Sequence, residues 1–85
     1  SLVKLSVFPN PASNTLSVIY NSNGSGSVFF SISDPAGRVV IHETTDVLAR
    51  GMCEWQPDIS RLKQGLWIIT VNDGSVKKTG KFVKL

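Results

Sequence analysis

One cysteine, one histidine and six carboxylates in 85 residues leave little material for chemistry. Cys53 has no second cysteine to pair with, so no internal disulfide supports the fold, and a solitary thiol of this kind reads as a small buried hydrophobe. His42 is the only histidine, which excludes a histidine-rich metal centre and leaves a Ser-His-Asp relay without a visible cluster of partners. It reads as a surface residue in a fourth strand. The carboxylates Asp34, Glu43, Asp46, Glu54, Asp58 and Asp73 fall mostly at turns, where they cap the backbone or meet solvent rather than form a calcium site or a glycosidase-type pair. No catalytic residue, metal ligand or cofactor site is expected.

Charge and hydropathy exclude two further classes. A net charge of +3 is small beside domains that grip a polyanion through many phosphate contacts, so no nucleic-acid partner is expected. No apolar run reaches the roughly 18 residues that a membrane-spanning helix needs, and Ser1 to Asn10 lacks the basic start and apolar stretch of a signal peptide. No stable membrane insertion is expected. Gly24-Ser25-Gly26 lacks the strand-to-helix setting and the following lysine of a phosphate loop, and reads as a flexible connection. Asn23-Gly24-Ser25 matches a glycosylation acceptor formally, but Asn-Gly serves a turn equally well.

What the chain does have is β pattern. Hydrophobic residues make up 41% against 18% charged, the balance of a folded globule, and the length suits one domain over residues 1–85 with a single small core. Leu16, Val18 and Tyr20 alternate with Thr15, Ser17 and Ile19, and Val28, Phe30 and Ile32 with Phe29, Ser31 and Ser33, while 39–41 and 66–71 are β-branched or apolar runs of strand length. Asn21 to Ser27 reads as a loop. Asp34-Pro35-Ala36-Gly37 predicts a tight turn in which Asp caps, Pro presets φ and Gly takes a positive φ. Asp73-Gly74 predicts a two-residue type I′ hairpin joining 66–72 to 75–85. Residues 46–50 could make a helical turn, 52–56 a short strand, and 58–62 a single helical turn. These marks predict an all-β, immunoglobulin-like antiparallel β-sandwich of about seven strands.

Two groups of residues have functional potential. Trp55 and Trp67, if exposed on one face, would form a stacking platform for sugar rings and make this a carbohydrate-binding or adhesion module. The competing reading places Trp67 in the core with its N–H bonded and leaves the facing of Trp55 open. Lys77, Lys78, Lys81 and Lys84 in the last segment either blunt an exposed edge strand or attract an anionic partner. An exposed terminal strand also admits a homodimer by strand pairing.

Four landmarks run through the chain in order: Pro9-Asn10-Pro11, Asp34-Pro35-Ala36-Gly37-Arg38, Leu62-Lys63-Gln64-Gly65 and Lys81-Phe82-Val83-Lys84. Together they resemble the C-terminal sorting domain of cargo proteins exported by the type IX secretion system of the Bacteroidota. Phe8-Pro9-Asn10-Pro11 looks like that family's opening, residues 30–40 its middle signature with Asp34 and Gly37, residues 58–67 its third element with Leu62 and Gly65, and residues 79–85 its closing strand. Trp67 stands where the family usually has Tyr, a departure that keeps an aromatic anchor.

The resemblance implies a non-catalytic address label. It would be attached to a larger N-terminal cargo, engage translocon and sortase components, and be removed by the sortase in a linker before Leu2. The cargo would pass through the periplasm and outer membrane to the cell surface or the extracellular space. Leu85 would be the natural C-terminus. Pro9 and Pro11 make sense as a stiff entrance to the domain, and Gly37 and Gly65 as positions whose backbone a side chain would oppose.

Overall fold

The computed structural model describes residues 5–23, 26–47, 50–74 and 77–85. Within them lie seven strands: β1 (Ser6–Phe8), β2 (Ser17–Asn23), β3 (Gly26–Ser33), β4 (Val39–Val47), β5 (Arg50–Trp55), β6 (Gly65–Asn72) and β7 (Lys77–Lys84). They form two antiparallel sheets, β1-β2-β5 and β4-β3-β6-β7, with the core between them. The period-two alternation decides which side chains enter that core. From β2 come Val18 and Tyr20, from β3 Val28, Phe30 and Ile32, from β6 Trp67, Ile69 and Val71, and from β7 Phe82. The expected all-β sandwich of about seven strands is the architecture observed.

The chain passes between the sheets three times, from β2 to β3, from β4 to β5 and, through residues 56–64, from β5 to β6, and the strands that flank the first two passages pair as one ribbon. β2 pairs with β5 and β3 pairs with β4, and the register is the same on both sides of the crossing: Asn23 faces Arg50, and three positions further along each chain Gly26 faces Val47. The ribbon starts at the Asp34 turn. There the Gly37 N–H donates to the Asp34 carbonyl at 2.9 Å, the Arg38 N–H donates to Asp34 Oδ1 at 2.8 Å, and Gly37 sits at φ +94°. The expected turn is thus formed by the residues expected to form it. An L side chain is strained at that φ, so Gly37→Ala is expected to cost about 1 kcal/mol in a denaturant melt.

Four local expectations require correction. Residues 21–23 belong to β2 and 26–27 to β3 rather than to a loop, and 46–47 and 50 belong to strands rather than to a helical turn; Gly24, Ser25, Leu48 and Ala49 lie outside the described residues, as does that part of the glycosylation match. The β6–β7 connection is longer than two residues, because Asn72 pairs with Lys77. A two-residue type I′ turn would set Asn72 against Ser75 and leave Gly80, not Phe82, opposite Trp67. The four-residue spacing places Phe82 against Trp67 in the core. Ser75 and Val76 lie outside the described residues, and Gly74 donates its N–H to Asn72 Oδ1 at 2.8 Å. Residues 58–62 make a hydrogen-bonded turn, Leu62 N–H to the Ile59 carbonyl at 3.0 Å, without becoming a helix.

Aromatic contacts tie the sheets together. Trp55 of β5 stacks on Phe30 of β3 with centroids 4.7 Å apart, and Tyr20 meets the same ring edge-on at 5.3 Å. Burial, with a smaller contribution from Cys53 directly opposite on β5, pushes the Tyr20 hydroxyl up to about 12 from its ordinary value of 10.0. A pKa raised on folding favours the protonated native state, so this contribution is complete below pH 10 and is lost as pH rises through 12. Stability measured over that alkaline interval is expected to fall less steeply in Tyr20→Phe. Gly80 of β7 lies beneath β1: a Cβ there would stand 3.1 Å from both Leu5 Cδ2 and Val7 Cγ2. This glycine therefore lets the edges of the two sheets close on each other.

Candidate functional site

All four landmarks gather at one pole of the sandwich. The end of β1 lies beside the start of β2 (Phe8 opposite Ser17), and β5 ends there as well, with Trp55 opposite Val18. In the other sheet the end of β3, the start of β4, the start of β6 and the end of β7 lie together, with Ser33 opposite Val39 and Ile68, and Gly65 opposite Lys84. The ribbon crosses between sheets at the far end, so both sheets present these termini on the same side.

The first and last landmarks are hydrogen-bonded to each other. Val83 donates its N–H to Asn10 Oδ1 at 2.9 Å, Ala12 donates its N–H to the Val83 carbonyl at 2.8 Å, and Leu85 donates its N–H to the Ala12 carbonyl at 2.8 Å. Pro9 and Pro11 flank Asn10 without donors of their own, leaving the Asn10 side chain to make the contact. Ala12, absent from the sequence-based site, is buried in this junction. β7 is an edge strand, and the Asn10–Ala12 segment covers its last residues.

The second and third landmarks form a cleft of about 410 Å³. Its apolar lining is Val40, Ile41, Leu62 and Trp67, brought together because β3 carries β4 on one side and β6 on the other. Arg38, Arg61 and Lys63 supply positive charge, and Asp58 negative. Arg38 Nε lies 3.5 Å from Asp34 Oδ2, whereas Arg61 and Lys63 make no direct ion pair among the described residues. Asp58 Oδ1 accepts the Ser60 N–H at 2.9 Å, and that bond holds its carboxyl below the ordinary carboxylate value, with Arg61 adding to the effect. Arg61, Lys63 and Ile41 were not legible as one site, because no sequence spacing joins residue 41 to residue 61.

The two indoles do not form a platform. Trp55 is 7% and Trp67 9% exposed, and each N–H has a partner, Glu43 Oε1 at 3.2 Å and the Lys63 carbonyl at 2.9 Å. Both faces needed to stack on sugar are turned into the protein, so the platform expectation is corrected: these are core residues whose N–H groups are satisfied at its rim. The terminal lysines also divide. Lys77 and Lys81 are exposed, whereas Lys84 is 8% exposed and donates from Nζ to the Leu85 carbonyl oxygen at 3.0 Å. His42 is exposed on β4 and stacks on Phe29, Cys53 packs half-buried against the core, and no cluster of three metal-ligating side chains occurs among the described residues.

No curated protein matches the chain. A family described as the secretion system C-terminal sorting domain matches residues 6–85, which include all four landmarks and all seven strands. The chain therefore belongs to the family of C-terminal sorting domains of type IX secretion.

Proposed function

We propose that this domain is a rigid, non-catalytic address label whose readable surface is the pole where its landmarks meet. The family implies a C-terminal sorting signal that interacts with the secretion machinery and directs export to the cell surface or extracellular space. The carrying observation is the convergence of the four landmarks, Pro9 to Pro11, Asp34 and Gly37, Leu62 and Gly65, and residues 81–84, at one end of the molecule. In this reading residues 1–85 form one domain of a larger precursor, the cargo lies N-terminal to it, and a surface sortase removes the domain after translocation. A periplasmic reporter fused to residues 1–85, with the segment that precedes them in the precursor, is expected to leave the cell only when the type IX translocon is intact. Equal retention in competent and translocon-deficient strains, with the fusion folded, would overturn the reading.

The open stretch of β7 supplies a second contact by strand addition. Val83 directs its N–H and carbonyl to the Asn10–Ala12 segment, so by alternation Lys81, Thr79 and Lys77 direct theirs away from β6. Thr79→Pro removes one of these outward donors and leaves the β6–β7 ladder in place. It is expected to keep the melting temperature within a few degrees and to reduce export; unchanged export would remove strand addition, including pairing between two copies, from the account.

A further inference from the structure

We infer that the cleft between the second and third landmarks is a docking site for an extended acidic segment of a partner protein, one of whose apolar side chains enters the cleft. The inference rests on the sorting reading for its biological setting and on the cleft for its chemistry. The lining is apolar, from Ile41, Leu62 and the covered edge of Trp67, and the opening of about 410 Å³ accommodates a side chain such as leucine or phenylalanine with neighbouring backbone. The rim carries an excess of positive charge: Arg38, Arg61 and Lys63 line it together with one carboxylate, Asp58, whose charge attracts Arg61. Arg61 and Lys63 are exposed and make no direct ion pair among the described residues, and Arg38 is held over the turn by Asp34. Three cations against one carboxylate beside an apolar hollow favour a partner whose own carboxylates flank a hydrophobic residue.

A lipid or lipopolysaccharide surface would also meet positive charge, but it favours cations spread across a face rather than grouped at a concave opening. The remaining exposed lysines among the described residues, Lys77 and Lys81, lie on β7, the opposite edge strand of the same sheet from β4, which contributes Val40 and Ile41. They serve as the internal control.

Two measurements test the inference. In the first, a hexapeptide of alternating glutamate and leucine is titrated into the isotopically labelled domain, with a lysine-for-glutamate peptide and phosphatidylglycerol vesicles as comparisons. Amide shifts confined to residues 38–41 and 58–67, seen with the acidic peptide and weakened at least fivefold by raising salt from 50 to about 300 mM, are expected. Equal shifts from the basic peptide, shifts from vesicles alone, or none at these residues would overturn it.

In the second, Arg61→Glu/Lys63→Glu and the charge-matched Lys77→Glu/Lys81→Glu are compared in the reporter fusion. Both pairs replace exposed side chains, so the fold is retained, which circular dichroism verifies. The cleft pair is expected to lower the exported fraction at least tenfold and the β7 pair less than threefold. Equal export of the wild type and the cleft pair would overturn the docking site while leaving the sorting reading intact; absence of export from the wild-type fusion would overturn the sorting reading itself.

Discussion

Trp55→Ala is expected to remove about a third or more of the domain's stability, and Trp55→Phe only a small part of it. The indole is stacked on Phe30 at 4.7 Å and donates to the exposed Glu43, so truncation removes a ring from the core together with that hydrogen bond. Removing a buried tryptophan costs about 3–5 kcal/mol. A domain of this length has about 5–10 kcal/mol in total, toward the lower end of the usual range. Phenylalanine keeps an aromatic ring against Phe30 and loses the hydrogen bond and part of the volume, a cost of about 1–2 kcal/mol. Denaturant melts would read both. A Trp55→Ala melt within about 1 kcal/mol of the wild type would mean that the ring contributes little to the core, and would return Trp55 to consideration as a ligand contact.

Phe82→Ala carries the second large effect, with loss of export following loss of fold. Phe82 is fully buried on β7 opposite Trp67, and its neighbours Val83 and Lys81 point outward. The substitution is expected to cost about 3–5 kcal/mol and to lower the melting temperature by roughly 12 °C or more. Val83→Ser changes a side chain on the other face and leaves the Val83 backbone free to bond Asn10 and Ala12, so its melting temperature is expected to stay within about 4 °C of the wild type. Comparing export of the two variants distinguishes a terminal motif that serves by completing the fold from one read through its outward side chains. Loss of export in Val83→Ser, with the fold intact, would assign the reading to the outward face.

Much of this architecture was legible because Val28, Phe30 and Ile32 of β3 recur at every second position and Asp34-Pro35-Ala36-Gly37 carries its turn chemistry in adjacent residues. Information of that kind is local. Residues 46–50 misled for the same reason: Leu48 and Ala49 are good helix formers, yet Asp46 and Val47 pair with β3 and Arg50 with β2, and at those positions pairing overrides local preference. Asp73-Gly74 indicated a turn correctly but not its length, which follows from the need to set Phe82 against Trp67. The facing of Trp55 was undecidable between Glu54 and Gln56, because the sheet it packs on lies elsewhere in the chain. The cleft was invisible for a stronger reason: its two halves meet only through β3, which borders both β4 and β6.

The ribbon that passes from one sheet to the other has a consequence for errors in folding. In a sandwich whose sheets zip independently, a slipped strand spoils one layer and the other survives. Here β3–β4 from Ile32–Ile41 to Gly26–Val47 and β2–β5 from Asn23–Arg50 to Val18–Trp55 share one register, set past the irregularity between Ile32 and Ser33, so a slip of one residue beyond that irregularity would misface Ile41 in one layer and Trp55 in the other together. A half-correct product is thereby denied a stable core, and the chain has one register in which to settle.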